Sequence, residues 1–165
     1  MRLWHKELIP YLPRLQLIAQ WRECCCICKN WADKGTPNHI LVNKVLEYPT
    51  VDFLCYTNTV LTEMKRRNYK VSEKSRLNFA SNYEKINFQN KNNYKPMFDK
   101  WHNERYLIQC LFNLQEKHDC GGIPEDEWNL IENRFFNLKL NDKSDKVEYA
   151  LRNDKKRTVY VKINQ

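Results

Sequence analysis

Apolar residues recur at three- and four-residue spacing along much of the chain, which is typical of α-helices that bury one face. A first long helix is predicted to begin at Leu12-Pro13-Arg14 and to continue to about Trp31. Its apolar face consists of Leu17, Trp21, Cys24, Cys28 and Trp31. A short helix is predicted from His39 to Tyr48, with Asn38 as its candidate N-terminal cap.

The middle of the chain shows one further clear helical pattern and then loses it. Pro49-Thr50 begins a third predicted helix, and its last turn carries Lys65-Arg66-Arg67, the charge sign that a helix C-terminus favours. The apolar face of this helix consists of Phe53, Thr57, Val60, Leu61 and Met64. Residues 72–98 are rich in Asn, Lys and Ser without a clear period, so we predict a long irregular segment there.

The helical pattern returns in the second half of the chain. A helix is predicted from about Asp99 to Lys117, ending at Gly121-Gly122, and another begins at Pro124. The buried face of the latter is predicted to be Trp128, Ile131, Phe135 and Leu138. Alternation between Thr158 and Ile163 predicts a short terminal strand or an extended arm. The expected fold class is therefore mainly α, a single compact helical domain with a long irregular segment.

Composition places the chain among basic globular proteins. It has 165 residues with 42% hydrophobic residues, and 28 Lys and Arg against 20 Asp and Glu give a net charge of +8. This surplus favours a polyanion partner, with nucleic acid first and an anionic membrane second, although a merely soluble cationic protein is the alternative. No apolar run has the length of a membrane span and no signal peptide precedes the helices, so we expect a cytoplasmic protein.

The seven cysteines offer a metal site as one interpretation. Their odd number argues against a disulfide framework, and Cys25-x-x-Cys28 has the spacing of a zinc half-site. The second half would come from His118 and Cys120, or from His102 and Cys110. Because Cys24 and Cys28 lie on the apolar stripe, core filling is favoured, and we expect no metal and no cofactor. A zinc-stabilised interaction domain is the alternative.

One carboxylate of the first helix has an unusual neighbourhood. Glu23 shares a face with Gln16, Ala19, Gln20 and Ile27, away from the Leu17/Trp21 stripe, and these uncharged or small side chains leave space for a substrate. An ordinary solvated glutamate is the alternative. His39 and His102 are candidate general bases, but no Ser or Cys spacing predicts a catalytic triad.

Three stretches of the chain resemble a known family. Leu17-x-Ala19-x-Trp21-Arg22-Glu23 resembles the signature of the pyrimidine-dimer DNA glycosylases with AP-lyase activity, the small phage-type endonucleases. A second match is Glu63 to Val71, and a third, weaker one is His102 with Leu114-Gln115-Glu116-Lys117. The resemblance is good over residues 1–71 and patchy to about residue 118.

This resemblance implies a reaction and a set of site residues. The free α-amine at the start of the chain would attack C1′ of a damaged nucleotide and displace the base, and the resulting imine would allow cleavage of the backbone by β-elimination. Met1 and Glu23 would be the catalytic residues. The candidate DNA-binding residues are Arg2, Arg22, Lys65, Arg66, Arg67 and Lys117. The implied partner is double-stranded DNA with damaged or abasic sites, bound by a monomer. A non-catalytic nucleic-acid-binding protein of the same fold is the alternative.

The chain also departs from the family pattern. Family members expose a threonine after losing methionine, whereas the bulky Arg2 should block that removal and leave the amine on Met1. Alignment of Met1 with the family's nucleophile requires one extra residue before Leu12, and Cys26 replaces the family's arginine after Glu23. By this resemblance, residues 1–118 form a glycosylase-like helical domain, and residues 119–165 are a C-terminal helical extension packed on it.

Overall fold

A computed structural model of the chain describes residues 2–35, 39–86 and 97–136, together with the backbone of residues 146–150 and 156–160. The fold is mainly α, as predicted. The helices are α1 (Arg14–Lys34), α2 (Ile40–Asn43), α3 (Thr50–Arg66), α4 (Glu73–Glu84), α5 (Glu104–Asp119) and α6 (Glu125–Phe135). Short 3₁₀ helices span Lys6–Tyr11 and Lys44–Glu47, and two strands, β1 (Lys146–Ala150) and β2 (Lys156–Tyr160), pair antiparallel.

The contacts of the chain group it into two compact units, residues 1–10 with 14–107, and residues 11–13 with 108–165. The division lies within α5. The predicted domain boundary after residue 118 stays a prediction. Among the described residues, no helix has both the length and the apolar character needed to cross a membrane.

Helix α1 is the centre of the first unit. The predicted apolar face is confirmed, because Leu17, Trp21, Cys24, Cys28 and Trp31 are all buried. It packs against α3 and α4. The ring of Trp31 meets Phe53 of α3 edge-on at 4.8 Å, and the ring of Trp21 lies 5.6 Å from Phe79 of α4. Aromatic contacts of this kind add to the free energy gained from burial alone.

Helix α3 begins and ends where the sequence predicted. Pro49 precedes its first residue, and Asn68 follows its last turn with a left-handed φ of 58°. This conformation lets the amide of Tyr69 donate to the carbonyl of Met64 over 2.8 Å, which closes the helix end. The chain then turns back toward α4.

The prediction of an irregular segment over residues 72–98 was wrong in its first half. Ser72 caps α4 by accepting a hydrogen bond from the amide of Ser75, and Glu73 supplies the acidic residue that a first turn favours. Only Phe79 and Tyr83 of this helix are buried, so the apolar stripe is too narrow to give a visible period. Residues 87–96 of the same segment lie outside the described residues.

Two other predicted helices differ in their bounds. The predicted helix from His39 to Tyr48 is instead α2 followed by a 3₁₀ turn. His39 makes no side-chain cap, and the expected cap Asn38 lies outside the described residues. Helix α5 begins at Glu104 rather than near residue 99, because Asn103 accepts a hydrogen bond from the amide of Tyr106 over 3.0 Å and so caps the helix there.

The second unit contains the end of α5, helix α6 and the β1–β2 hairpin. Gly121, with a φ of 76°, follows α5 as predicted. The ring of Trp128 on α6 stacks on His118 at 4.7 Å, and Trp128 and Ile131 are buried as predicted. Phe135, which was also predicted to be buried, is only half-buried. The predicted terminal strand is β2, whereas β1 was not predicted. Leu138 and residues 161–165 lie outside the described residues.

Candidate active site

The N-terminal segment passes through the interior of the first unit. Leu3, Trp4 and His5 are each at most 6% exposed, although their backbone forms no strand or helix. Buried peptide groups need hydrogen-bond partners. Here the partners are side chains: the carbonyl of Trp4 accepts from the hydroxyl of Tyr56 over 2.8 Å, and the carbonyl of Leu3 accepts from the hydroxyl of Tyr106 over 2.6 Å.

The amides of the same segment donate to helix α1. Trp4 N donates to Oε1 of Gln20 over 3.0 Å, and Arg2 N donates to Oε2 of Glu23 over 2.9 Å. The segment therefore runs antiparallel to α1: Arg2 lies beside Glu23, and Trp4, two residues later, lies beside Gln20, three residues earlier on the helix. Arg2 N is the amide nitrogen that joins Met1 to the chain, and the predicted nucleophile Met1 lies outside the described residues.

The sequence predicted that the residues on the same helix face as Glu23 leave space for a substrate, and this prediction was wrong for two of them. Gln20 and Ile27 are fully buried, Gln20 because it binds the amide of Trp4. Glu23 itself is half-buried. Its carboxylate thus lies where the buried N-terminal segment approaches the surface.

Two predicted arginines are close to this carboxylate in sequence and differ in their contacts. Arg22 is exposed on α1, next to Glu23, and makes no hydrogen bond or ion pair within the part of the chain that the structure describes. Arg2 is half-buried, and its guanidinium lies 5.5 Å from the centroid of the Trp4 ring. Cation–π contacts hold such a group in place without neutralising its charge. Both cations remain able to attract phosphate.

The basic residues at the end of α3 differ in exposure and in their ion pairs with the rest of the fold. Lys65 is exposed. Arg66 forms two hydrogen bonds to the buried Glu63, at 2.7 and 2.8 Å, while its side chain stays 65% exposed. Arg67 also binds Glu63, donates to the carbonyl of Pro10 over 2.7 Å and is only 17% exposed. The last predicted contact, Lys117, is exposed on α5.

His102, a member of the weakest family match, is a packing residue of the N-terminal segment. Its Nδ1 accepts from the amide of Lys6 over 3.0 Å, and its ring stacks on His5 at 5.1 Å. Burial, with smaller contributions from His5 and Lys6, lowers the pKa of His102 to about 3. Burial also lowers the pKa of His5, against a hydrogen bond to the His102 backbone. Both rings are therefore neutral near pH 7.

The cysteines of α1 pack as the sequence predicted. Cys24 and Cys28 are fully buried. Burial raises the pKa of Cys28 to about 12 and that of Cys25 to about 11, which keeps both thiols protonated. Among the described residues, no three His, Cys, Asp or Glu side chains are grouped so that they could hold a metal ion.

Sequence reasoning did not identify the side chains that bind the N-terminal backbone. Tyr56, His102 and Tyr106 lie 52, 96 and 103 residues from their partners, and no local pattern connects them with residues 3–6. Gln20 was noted only as an uncharged neighbour of Glu23. The one available signal was its position three residues before Glu23 on the same helix.

Comparison with known proteins bears on the first half of the chain. No curated protein and no solved structure matches the chain. A family model covers the residues that build the N-terminal segment, α1, α3 and the start of α4. Residues 1–77 match the model of the family described as pyrimidine dimer DNA glycosylase, which supports the family that the Trp21-Arg22-Glu23 motif suggested.

Proposed function

We propose that the protein is a DNA repair glycosylase with AP-lyase activity, which removes a damaged base, a pyrimidine dimer in the first instance, and cleaves the backbone. One observation carries the proposal: the amide nitrogen that follows Met1 lies 2.9 Å from Oε2 of Glu23, within the family match. The proposed catalytic residues are Met1 and Glu23.

The proposed nucleophile is the α-amine of Met1. Such an amine has a pKa of about 7.7–8.0, so a usable neutral fraction exists at physiological pH. Its nitrogen bonds to C1′ while the bond from C1′ to the base breaks, and the base takes up a proton. The C1′–O4′ bond of the sugar then opens, with a proton taken up by O4′, and C1′ becomes the carbon of an iminium. Loss of a proton from C2′ of the resulting iminium then breaks the C3′–O bond. Hydrolysis of the remaining imine returns the free amine.

Glu23 serves this sequence as an acid–base group and as a fixed negative charge. We assign proton transfer to Oε1, because Oε2 already accepts from the Arg2 amide. The carboxylate also stabilises the positive charge that develops on the sugar and on the iminium. The hydrogen bonds from the Arg2 amide to Glu23 and from the Trp4 amide to Gln20, one turn away on the same helix, support this placement of the reacting groups.

We assign the proposed DNA contacts to basic side chains that solvent can reach. Arg22 and Arg2 flank the carboxylate and would hold phosphates at the lesion, and Lys65, Arg66 and Lys117 add further positive charge. Arg67 is also in the proposed set, but its bonds to Glu63 and Pro10 assign it first to the fold. Neutralised phosphates release counterions, so binding should weaken steeply as salt rises. Damaged pairs cost less to unstack, which assists flipping of the nucleotide.

The test is covalent trapping of the imine. The protein is incubated with borohydride and a duplex that contains either an abasic site or a cyclobutane pyrimidine dimer, and the adduct is mapped by peptide mass spectrometry. We expect a borohydride-stable adduct on the Met1 peptide, in protein whose intact mass shows a free N-terminal methionine. An adduct on a lysine would refute the Met1 assignment, and an adduct on the Arg2 amine would show that methionine had been removed.

Glu23→Gln separates catalysis from binding. A glutamine retains an oxygen for the Arg2 amide but cannot transfer the proton, so we expect the variant to bind abasic duplex and to lose trapping and strand cleavage. Glu84→Gln, at an exposed position on α4, is the matched control and should behave as the wild type. Salt-sensitive DNA binding without any adduct in the wild type would instead identify a non-catalytic nucleic-acid-binding protein.

A further inference from the structure

A cavity of about 430 Å³ lies at the end of α3 and the start of α4, within the first unit. Its size is within the range of small-molecule sites, roughly 300–1,000 Å³. The left-handed turn at Asn68 creates it, because this turn brings Tyr69 and Val71 back beside Leu61 of α3. These side chains make part of the cavity lining apolar.

Other residues of the lining are cationic and polar. Lys65 and Arg76 both line the cavity, one from α3 and one from α4, and neither forms an ion pair or hydrogen bond through its side chain to any residue that the structure describes. The nearest acidic residue on α3, Glu63, is occupied by Arg66 and Arg67. Two unneutralised cations at one cavity attract an anion of charge near −2.

Hydrogen-bonding groups and an aromatic ring complete the lining. Thr62 contributes a hydroxyl and Asn68 a carboxamide, which can both donate and accept. The ring of Tyr69 is held in place by the guanidinium of Arg14, 5.6 Å from its centroid. Two cations, an aromatic ring and a carboxamide in one lining suit a phosphate joined to a flat heterocycle rather than a bare anion.

We propose that this cavity is a nucleotide subsite. The phosphate binds Lys65 and Arg76, the base lies against Tyr69 and Val71, and Asn68 and Thr62 bind the edge of the base. The same ligand chemistry could come from a free nucleotide or from a nucleotide of a DNA strand. We assign it to the DNA strand, a choice that rests on the proposed function.

The first test uses free ligands and the full-length protein. Backbone amides of residues 61–76 are followed by NMR during titration with 2′-deoxyadenosine 5′-monophosphate, with deoxyadenosine and inorganic phosphate as partial ligands. We expect shifts in this stretch with the nucleotide and clearly weaker binding of either part. No shift in residues 61–76, or equally strong binding of inorganic phosphate alone, would refute a nucleotide subsite.

A matched pair of double variants tests the named cations. Lys65→Gln with Arg76→Gln should weaken nucleotide binding at least tenfold, because each removed charge-assisted hydrogen bond is expected to be worth about that factor or more. Lys70→Gln with Lys74→Gln removes the same charge from exposed neighbours that do not line the cavity, and should change binding less than about threefold. Equal losses in the two variants would refute a localised site.

Competition with DNA identifies the source. An abasic duplex should displace the bound nucleotide from the cavity, and a nucleotide that stays bound beside saturating duplex would overturn the assignment to the DNA strand. Nucleotide binding at this cavity can be tested separately from the proposed reaction. Glu23→Gln should abolish the borohydride adduct and leave nucleotide binding unchanged, because Glu23 does not line the cavity.

Discussion

The amide of Trp4 donates a 3.0 Å hydrogen bond to the side-chain oxygen of Gln20, and both residues are buried. Gln20 lies one helical turn before Glu23, which accepts from the amide of Arg2. On a helix, residues three apart lie on one side, about 4.5 Å apart along the axis. The two acceptors can therefore hold an extended segment at two points, and Gln20 fixes where the chain reaches Glu23.

Gln20→Leu should destabilise the protein and impair the proposed reaction. The leucine fills a similar space but leaves the buried amide of Trp4 without an acceptor, at a cost of about 1–3 kcal/mol. Urea unfolding gives the free energy, and borohydride trapping on abasic duplex gives the reaction. Gln109→Leu, at an exposed position on α5, should change the free energy of unfolding by at most about 0.5 kcal/mol. A Gln20→Leu protein of wild-type stability would contradict the structure.

Stability should fall as the pH drops below the usual pKa of histidine, in part because of His102. Its pKa is lowered to about 3 in the folded state, so between about pH 6.5 and 3 the unfolded chain binds a proton that the folded chain does not. The neutral ring thus contributes stability that is fully present above pH 6.5 and is lost as the pH falls toward 3.

His102→Leu isolates this contribution. It should lower the free energy of unfolding at pH 7, because the amide of Lys6 loses its acceptor. The substitution should also reduce the slope of the free energy of unfolding against pH between about pH 6 and 4, by up to about 1.4 kcal/mol per pH unit. Carboxylates titrate in both proteins and cancel in the difference between them. Parallel curves for the two proteins would show that His102 is protonated in the folded state.

The sequence predicted the elements that carry strong local signals. Helix α3 and the start of α6 were placed nearly to the residue, because a proline precedes each of these helices. Helix α4 was missed because no proline marks its start and just two of its twelve residues are buried. The buried path of residues 3–6 depends on side chains up to 103 residues away, and no periodicity reports such contacts. Only the family resemblance pointed to a link between the N-terminal segment and Glu23, where the structure places the Arg2 amide.

The two arginines on Glu63 should differ in their effect on stability. Arg67 is 17% exposed and also binds the carbonyl of Pro10, so Arg67→Gln should cost roughly 1–3 kcal/mol. Arg66 has the same carboxylate partner but is 65% exposed, so Arg66→Gln should cost clearly less than Arg67→Gln. Urea unfolding of the two variants makes the comparison. The reverse order of stability would contradict the burial of Arg67.

Thiol labelling of the native protein tests the packing of α1. Cys26, Cys55 and Cys120 are exposed, whereas Cys24, Cys28 and Cys110 are buried. Because the thiolate is the reactive form, the exposed thiols should react within minutes with iodoacetamide at pH 8, and the partly buried Cys25, whose pKa is raised to about 11, should react slowly.

Mass spectrometry should therefore count three rapid modifications in the native protein and seven after denaturation in urea. The same experiment separates core packing from a zinc site at Cys25 and Cys28. A bound metal would protect both thiols and a chelator would expose them, so labelling that accelerates at these two positions with chelator would favour zinc. If burial alone protects Cys28, a chelator leaves the labelling of all seven cysteines unchanged. Cys28 then reacts only after a denaturant has opened the contacts of α1 with α3 and α4.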